Sequence, residues 1–142
     1  MAEPFVDTLV IPSRLESIDG AREWSAGHAR SAGFDQRAVY DLELALTEAL
    51  SNVIRHGYAG NERRAVRLSL AIDSAKLSIR VQDSAPTFNR EGHQPPDLDN
   101  PGPKGYGLYL IEELMDEVTR DHPLEGGTVL TLVKYRLESP DG

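Results

Sequence analysis

The stretch that most constrains this chain is residues 64–83, where apolar and polar residues alternate twice in succession. Val66, Leu68, Leu70 and Ile72 fall on one side of an extended segment, with Arg67, Ser69 and Ala71 on the other. After a short polar link at residues 73–75, Leu77, Ile79 and Val81 alternate again up to Asp83. Successive side chains of a strand point to opposite faces, so the pattern specifies a hairpin of two strands with one buried face. A sheet buried on one side needs an apolar cover, which helices supply.

The cover is legible upstream. In residues 41–58, DLELALTEALSNVIRHGY, and just before, Val39, Leu42, Leu46, Ala49, Leu50 and Val53 recur at three- and four-residue spacing, the signature of an amphipathic helix. At about 100° per residue, Glu48 and Asn52 lie roughly 120° from the stripe centred on Leu42, Leu46 and Val53. The two are one turn apart and project together, so they can share one ligand. Alone, such a pair is more often just a solvated flank. Gly57 ends the helix, as a residue able to take a left-handed C-terminal cap.

The remaining elements follow in order. Residues 5–11 read as an edge-type first strand, punctuated by Pro12 and Ser13. Leu15, Ile18, Ala21, Trp24 and Ala29 predict a helix over 15–32 despite Gly20 and Gly27, with Gly33 closing it. Asp35 is a candidate N-cap for the central helix, placed at 36–56. Residues 84–104 change character, with prolines at 86, 95, 96, 101 and 103. A loop of that length is either functional or a surface excursion. Gly105-Tyr106-Gly107 then leads into LYLIEELMDEV, a helix with Leu108, Ile111, Leu114 and Met115 on one side. Two strands close the chain, at 118–120 and 127–137.

Composition narrows the function classes. The chain has 142 residues, 39% hydrophobic and 27% charged, and fits one domain over 1–142. A formal charge of −8 disfavours polyanionic partners, so neither nucleic acid nor an anionic membrane is expected. No cysteine is present, which removes thiol nucleophiles and thiolate metal sites. His28, His56, His93 and His122 are scattered without ligand spacing. No apolar run approaches twenty residues, and the N-terminus has no positive region before an apolar core. A cytoplasmic location is the expectation.

Four pieces then suggest one pocket. Glycines before a helix free backbone N–H groups at the positive end of its dipole, a phosphate-binding arrangement, and Lys104 stands beside them. The segment is neither a Walker A loop nor GxGxxG after a strand. Asp83, at a strand end, can accept a hydrogen bond from an exocyclic amine such as that of adenine, or serve only as a turn residue. Thr128 offers a hydroxyl after Gly126-Gly127. The order of these elements resembles the Bergerat-fold (GHKL) ATPases. ELALTEALSNVIRHGY is similar to their N-box, VQDSAPTF to the first glycine box, KGYGLYLI to the second and EGGTVLTL to the last. Within that superfamily the chain most resembles the bacterial anti-sigma-factor serine kinases.

The resemblance implies an α+β fold, a two-layer sandwich whose mixed, mostly antiparallel sheet is covered on one face by about three helices. It also implies a stand-alone domain, with no dimerisation or phospho-acceptor helix ahead of it. It implies that Asn52 ligates Mg²⁺ on the phosphates of ATP and that Glu48 is the general base. Asp83 would take the adenine amine, with Thr128 supporting through a water. Lys104, Gly105, Tyr106, Gly107 and Leu108 would meet the phosphates, residues 87–104 would form a lid, and Arg55 would touch phosphate from the flank of Asn52. Implied partners are a STAS-type anti-anti-sigma protein and a sigma factor, with a homodimer through residues 6–11 and the first helix also open. One departure stands out: Ala85 occupies a position where the first box usually has glycine. If that position needs a positive φ, alanine costs on the order of 1 kcal/mol and weakens nucleotide affinity. The rival reading is therefore a GHKL module that binds nucleotide weakly or not at all and acts only by capturing partners.

Overall fold

The computed structural model describes residues 5–58, 61, 63–84, 103–124 and 126–136, with the backbone alone for 57 and 103–108. Strand β1 (Phe5–Pro12) is followed by helix α1 (Ser17–Ser31) and helix α2 (Gln36–Asn52), which continues as a π turn, Val53–Gly57. Then come β2 (Ala65–Ile72), β3 (Lys76–Asp83), helix α3 (Pro103–Leu114), β4 (Glu117–Asp121) and β5 (Thr128–Tyr135). Among the described residues the strands form one sheet in the order β1-β2-β3-β5-β4. Every pairing is antiparallel, the limit of the mostly antiparallel sheet expected.

The alternation that predicted the hairpin is realised residue by residue. Val66, Leu68, Leu70 and Ile72 of β2 and Leu77, Ile79 and Val81 of β3 are buried, as are Leu130 and Leu132 of β5. Register places Leu68 opposite Val81 and Val81 opposite Leu130, so these residues share one face. Against it lie Leu42, Leu46, Ala49 and Leu50 of α2, Ala21 and Ala29 of α1 and Ile111 of α3 in a single cluster. A strand buried on one face and helices buried on one stripe satisfy each other.

The boundaries have local causes. The Asp35 side chain accepts from the Ala38 N–H at 2.8 Å, the N-cap the sequence called for. Gly33 ends α1 at φ +90°, with Gly33 N–H on Arg30 O and Phe34 N–H on Ala29 O, a Schellman closure. Two boundaries differ from expectation. The central helix stops being α-helical at Asn52, and the π turn that follows is capped by Tyr58 at φ −97° instead of by a left-handed glycine. The last helix starts at Pro103, so the glycines lie inside its first turns and not ahead of it. Proline is favoured at a first helical position, where its missing N–H costs nothing.

Candidate functional site

The polar residues of interest sit where the buried alternation runs out. One step past Val81, β3 ends at Asp83, whose register partner is Thr128, the first residue of β5. Directly opposite residues share a face, so both lie on the helix-covered side and both are half-buried. Gly127 makes this closure possible. It is at φ +83°, and a Cβ there would stand 2.1 Å from the Asp83 carbonyl oxygen. Any side chain would force the two strand ends apart.

The end of α2 reaches the same place through Tyr58. Its hydroxyl takes the Ser84 N–H at 2.7 Å and donates to Ala65 O at 2.7 Å, which joins the end of the π turn to the residue after Asp83. Asn52 is the last α-helical residue before that turn, and Glu48 lies one turn back. Both side chains are half-buried, and among the described residues neither is hydrogen-bonded or ion-paired. Single π turns within helices are frequent at functional sites. Arg55 falls inside the turn and is exposed, so the α-helical spacing from Asn52 that placed it on the same flank does not carry over.

The third approach is α3. Lys134 of β5 donates to Leu114 O at 2.7 Å and to Asp41 Oδ2 at 3.3 Å, which pins the end of α3 to the first part of α2. The helices pack along one another, so the pin sets them head to tail. With equal rise per residue, the step from Leu114 back to Pro103 matches the step from Asp41 forward to Asn52. From this pin α3, whose first residues include Lys104, Gly105, Tyr106, Gly107 and Leu108, runs back along α2 toward the end that carries Asn52. The first N–H groups of a helix have no acceptor within it. On the opposite flank of α2, Arg22 and Arg30 of α1 approach Glu43 at 3.7 Å and 3.6 Å. Glu48 and Asn52 instead each fall within about 20° of Asp41, the residue through which Lys134 ties α2 to α3.

Four separate elements thus converge at one end of the molecule. The proposed lid at 87–104 and Ala85 lie outside the described residues, apart from residues 103 and 104, which open α3. The donor set suits a hard cation shared with phosphates. A carboxylate and a carboxamide supply oxygen, and no cluster of three acidic or histidine ligands exists among the described residues. Mg²⁺ is commonly held by one or two protein groups, with waters and substrate phosphates completing the shell. The residues fit.

Sequence reasoning missed three contributors. Tyr58 read as the end of a motif, and its partner lies 26 positions away in sequence. Lys134 carried a signal that was available: it falls on the inward face after Leu130 and Leu132, where a lysine needs a buried partner. Asp41, 8% exposed on a helix flank, is that partner. The close approach of Gly127 to Asp83 has no sequence signal beyond the glycine pair itself.

Comparison with known proteins gives the family. Residues 11–134 match the family described as Histidine kinase-like ATPase domain. A protein named Serine-protein kinase RsbW from Listeria monocytogenes serovar 1/2a is 32% identical over 136 residues, 90% of this chain and 85% of that one. A namesake from Staphylococcus epidermidis is 31% identical over 134 residues, 88% of this chain and 83% of that one. Among solved structures, a crystal structure of RsbU and RsbW domains from Mycobacterium tuberculosis aligns at a TM-score of 0.66 and 20% identity. The alignment takes in 97% of this chain but 34% of that longer one, and at such identity the likeness is one of fold. The chain belongs to the histidine kinase-like (GHKL) ATPase superfamily and, within it, to the RsbW family of serine-protein kinases.

Proposed function

We propose that this chain, acting as one ATPase domain in the cytoplasm, transfers the γ-phosphoryl group of ATP to a serine of a STAS-type anti-anti-sigma protein. In the alternate arm of the same switch it sequesters a sigma factor. The observation that carries this reading is the pair Glu48 and Asn52, half-buried one turn apart at the end of α2 and without a hydrogen-bond or ion-pair partner among the described residues. Phosphoryl transfer asks a protein mainly for positioning and charge stabilisation, and these elements meet those needs.

Asn52 would hold Mg²⁺, which when bound would draw charge from the phosphate oxygens. Backbone amides at the start of α3 receive phosphate oxygens, with Lys104 adjacent. Asp83 accepts from the adenine amine, and Thr128 supports it through a water. Glu48 takes the proton of the incoming serine hydroxyl as its oxygen bonds to phosphorus and the bond to the β-phosphate oxygen breaks, releasing ADP.

The test is incubation with γ-labelled ATP and a STAS partner. Label on a partner serine, abolished in Glu48→Ala while ATP affinity stays within about threefold of wild type, is the expected result. No label from the intact chain, with partner capture retained, would favour the capture-only module that Ala85 suggests. Loss of nucleotide affinity together with activity in Glu48→Ala would refute the base assignment.

A further inference from the structure

Tyr58 has no part in the chemistry just described, yet it is built into the site. Its side chain is buried immediately after the π turn. The hydroxyl accepts from the Ser84 N–H at 2.7 Å and donates to the Ala65 carbonyl at 2.7 Å, with Ser84 Oγ at 3.2 Å as a further donor. One proton and two lone pairs are thereby fully used. Ladder pairing of β3 ends at Asp83, so the Ser84 N–H depends on Tyr58 for an acceptor. From the other side the Gly127 backbone presses on the same peptide. A Cβ at Gly127 would lie 3.1 Å from the Asp83 carbonyl carbon and 3.2 Å from Ser84 Cα. The Asp83–Ser84 peptide is held between a phenol and a glycine.

We propose that Tyr58 is a positioning residue for base specificity: by fixing the Asp83–Ser84 peptide, it aims the Asp83 carboxylate at the exocyclic amine of the purine. This rests on the reading, given above, that Asp83 recognises adenine. The same strut joins the base-recognising strand end to the helix end that carries Asn52. Base and phosphate subsites are therefore held at a fixed spacing.

The experiment compares ATP with inosine triphosphate, which carries an oxo group where adenine has its amine. Affinities are measured by calorimetry with magnesium for wild type, Tyr58→Phe and Ser84→Ala. Wild type is expected to prefer ATP by about tenfold or more, since a carboxylate accepts from the amine and is repelled by an oxo group in its place. Tyr58→Phe keeps the ring and loses the hydroxyl. Its preference is expected to shrink about fivefold through weaker ATP binding, with inosine triphosphate affinity little changed. Ser84→Ala keeps the backbone N–H and is expected to retain the wild-type preference. In the unmutated protein, the Ser84 amide is expected to exchange slowly with solvent, a readout independent of how any variant folds.

A wild type that binds both nucleotides alike would overturn the adenine reading, and the role of Tyr58 with it. A wild type that discriminates, with Tyr58→Phe weakening both nucleotides equally, would overturn only the positioning role and leave Tyr58 structural. Fast Ser84 exchange, or a Ser84→Ala preference that collapses as in Tyr58→Phe, would do the same.

Discussion

At the scale of single residues, aspartates gather the donors around them. Asp73 opens the β2–β3 hairpin, and its Oδ1 accepts from the N–H groups of Ala75 at 2.7 Å and Lys76 at 2.9 Å. Those bonds, the Ala75 one first, hold its pKa below the ordinary 3.8. Asp7 is lowered likewise, chiefly by the Trp24 indole N–H and then by His28, which bind its carboxylate at 2.9 Å and 2.8 Å. A carboxylate whose pKa is depressed on folding contributes stability above its unfolded value and loses it as pH falls through the folded one. Wild type is therefore expected to lose stability as pH drops below about 4. Asp73→Asn, which keeps an acceptor but cannot titrate, should show a shallower decline in denaturant midpoint over that window. Parallel declines would contradict the role given to Asp73.

At the scale of elements, the helices carry both compromise and purpose. Gly20 and Gly27 stand in α1 with open space where a Cβ would go, so neither is required by packing. Gly20→Ala and Gly27→Ala should each raise stability by about 0.5–1 kcal/mol, read as an increase in denaturant midpoint at constant slope. A decrease would show that the glycines serve a conformation other than this helix. Gly105 and Gly107 break the same propensity rule within α3, and they do so in its first turns. Local rules are broken mainly where function requires it. Elements with strong periodicity were legible in sequence: the alternation of residues 66–72 and 77–81, the stripe through Leu42 and Leu46, the Asp35 cap and the Gly33 stop. The π turn was not, because i→i+5 bonding leaves no mark distinguishable from a continuing helix. The start of α3 was misplaced because the glycine pair was read as the boundary, when Pro103 was the stronger signal.

At the scale of the whole molecule, the antiparallel sheet and its helical cover bring four sequence segments to one end. The segments themselves could be picked out as motifs. What joins them could not, because each tie spans a long stretch of sequence: Tyr58 to Ser84, Gly127 to Asp83, Lys134 to Asp41. Such pairs follow from topology, which local patterns do not encode. The described residues contain no helix long and apolar enough to cross a membrane. The most direct measurement is calorimetric titration of the purified chain with ATP, with and without magnesium, beside Asn52→Ala. Magnesium-dependent binding is expected in the wild type, weakened by about tenfold or more in Asn52→Ala. ATP binding that ignores magnesium, or that Asn52→Ala leaves unchanged, would contradict a nucleotide site at the end of α2.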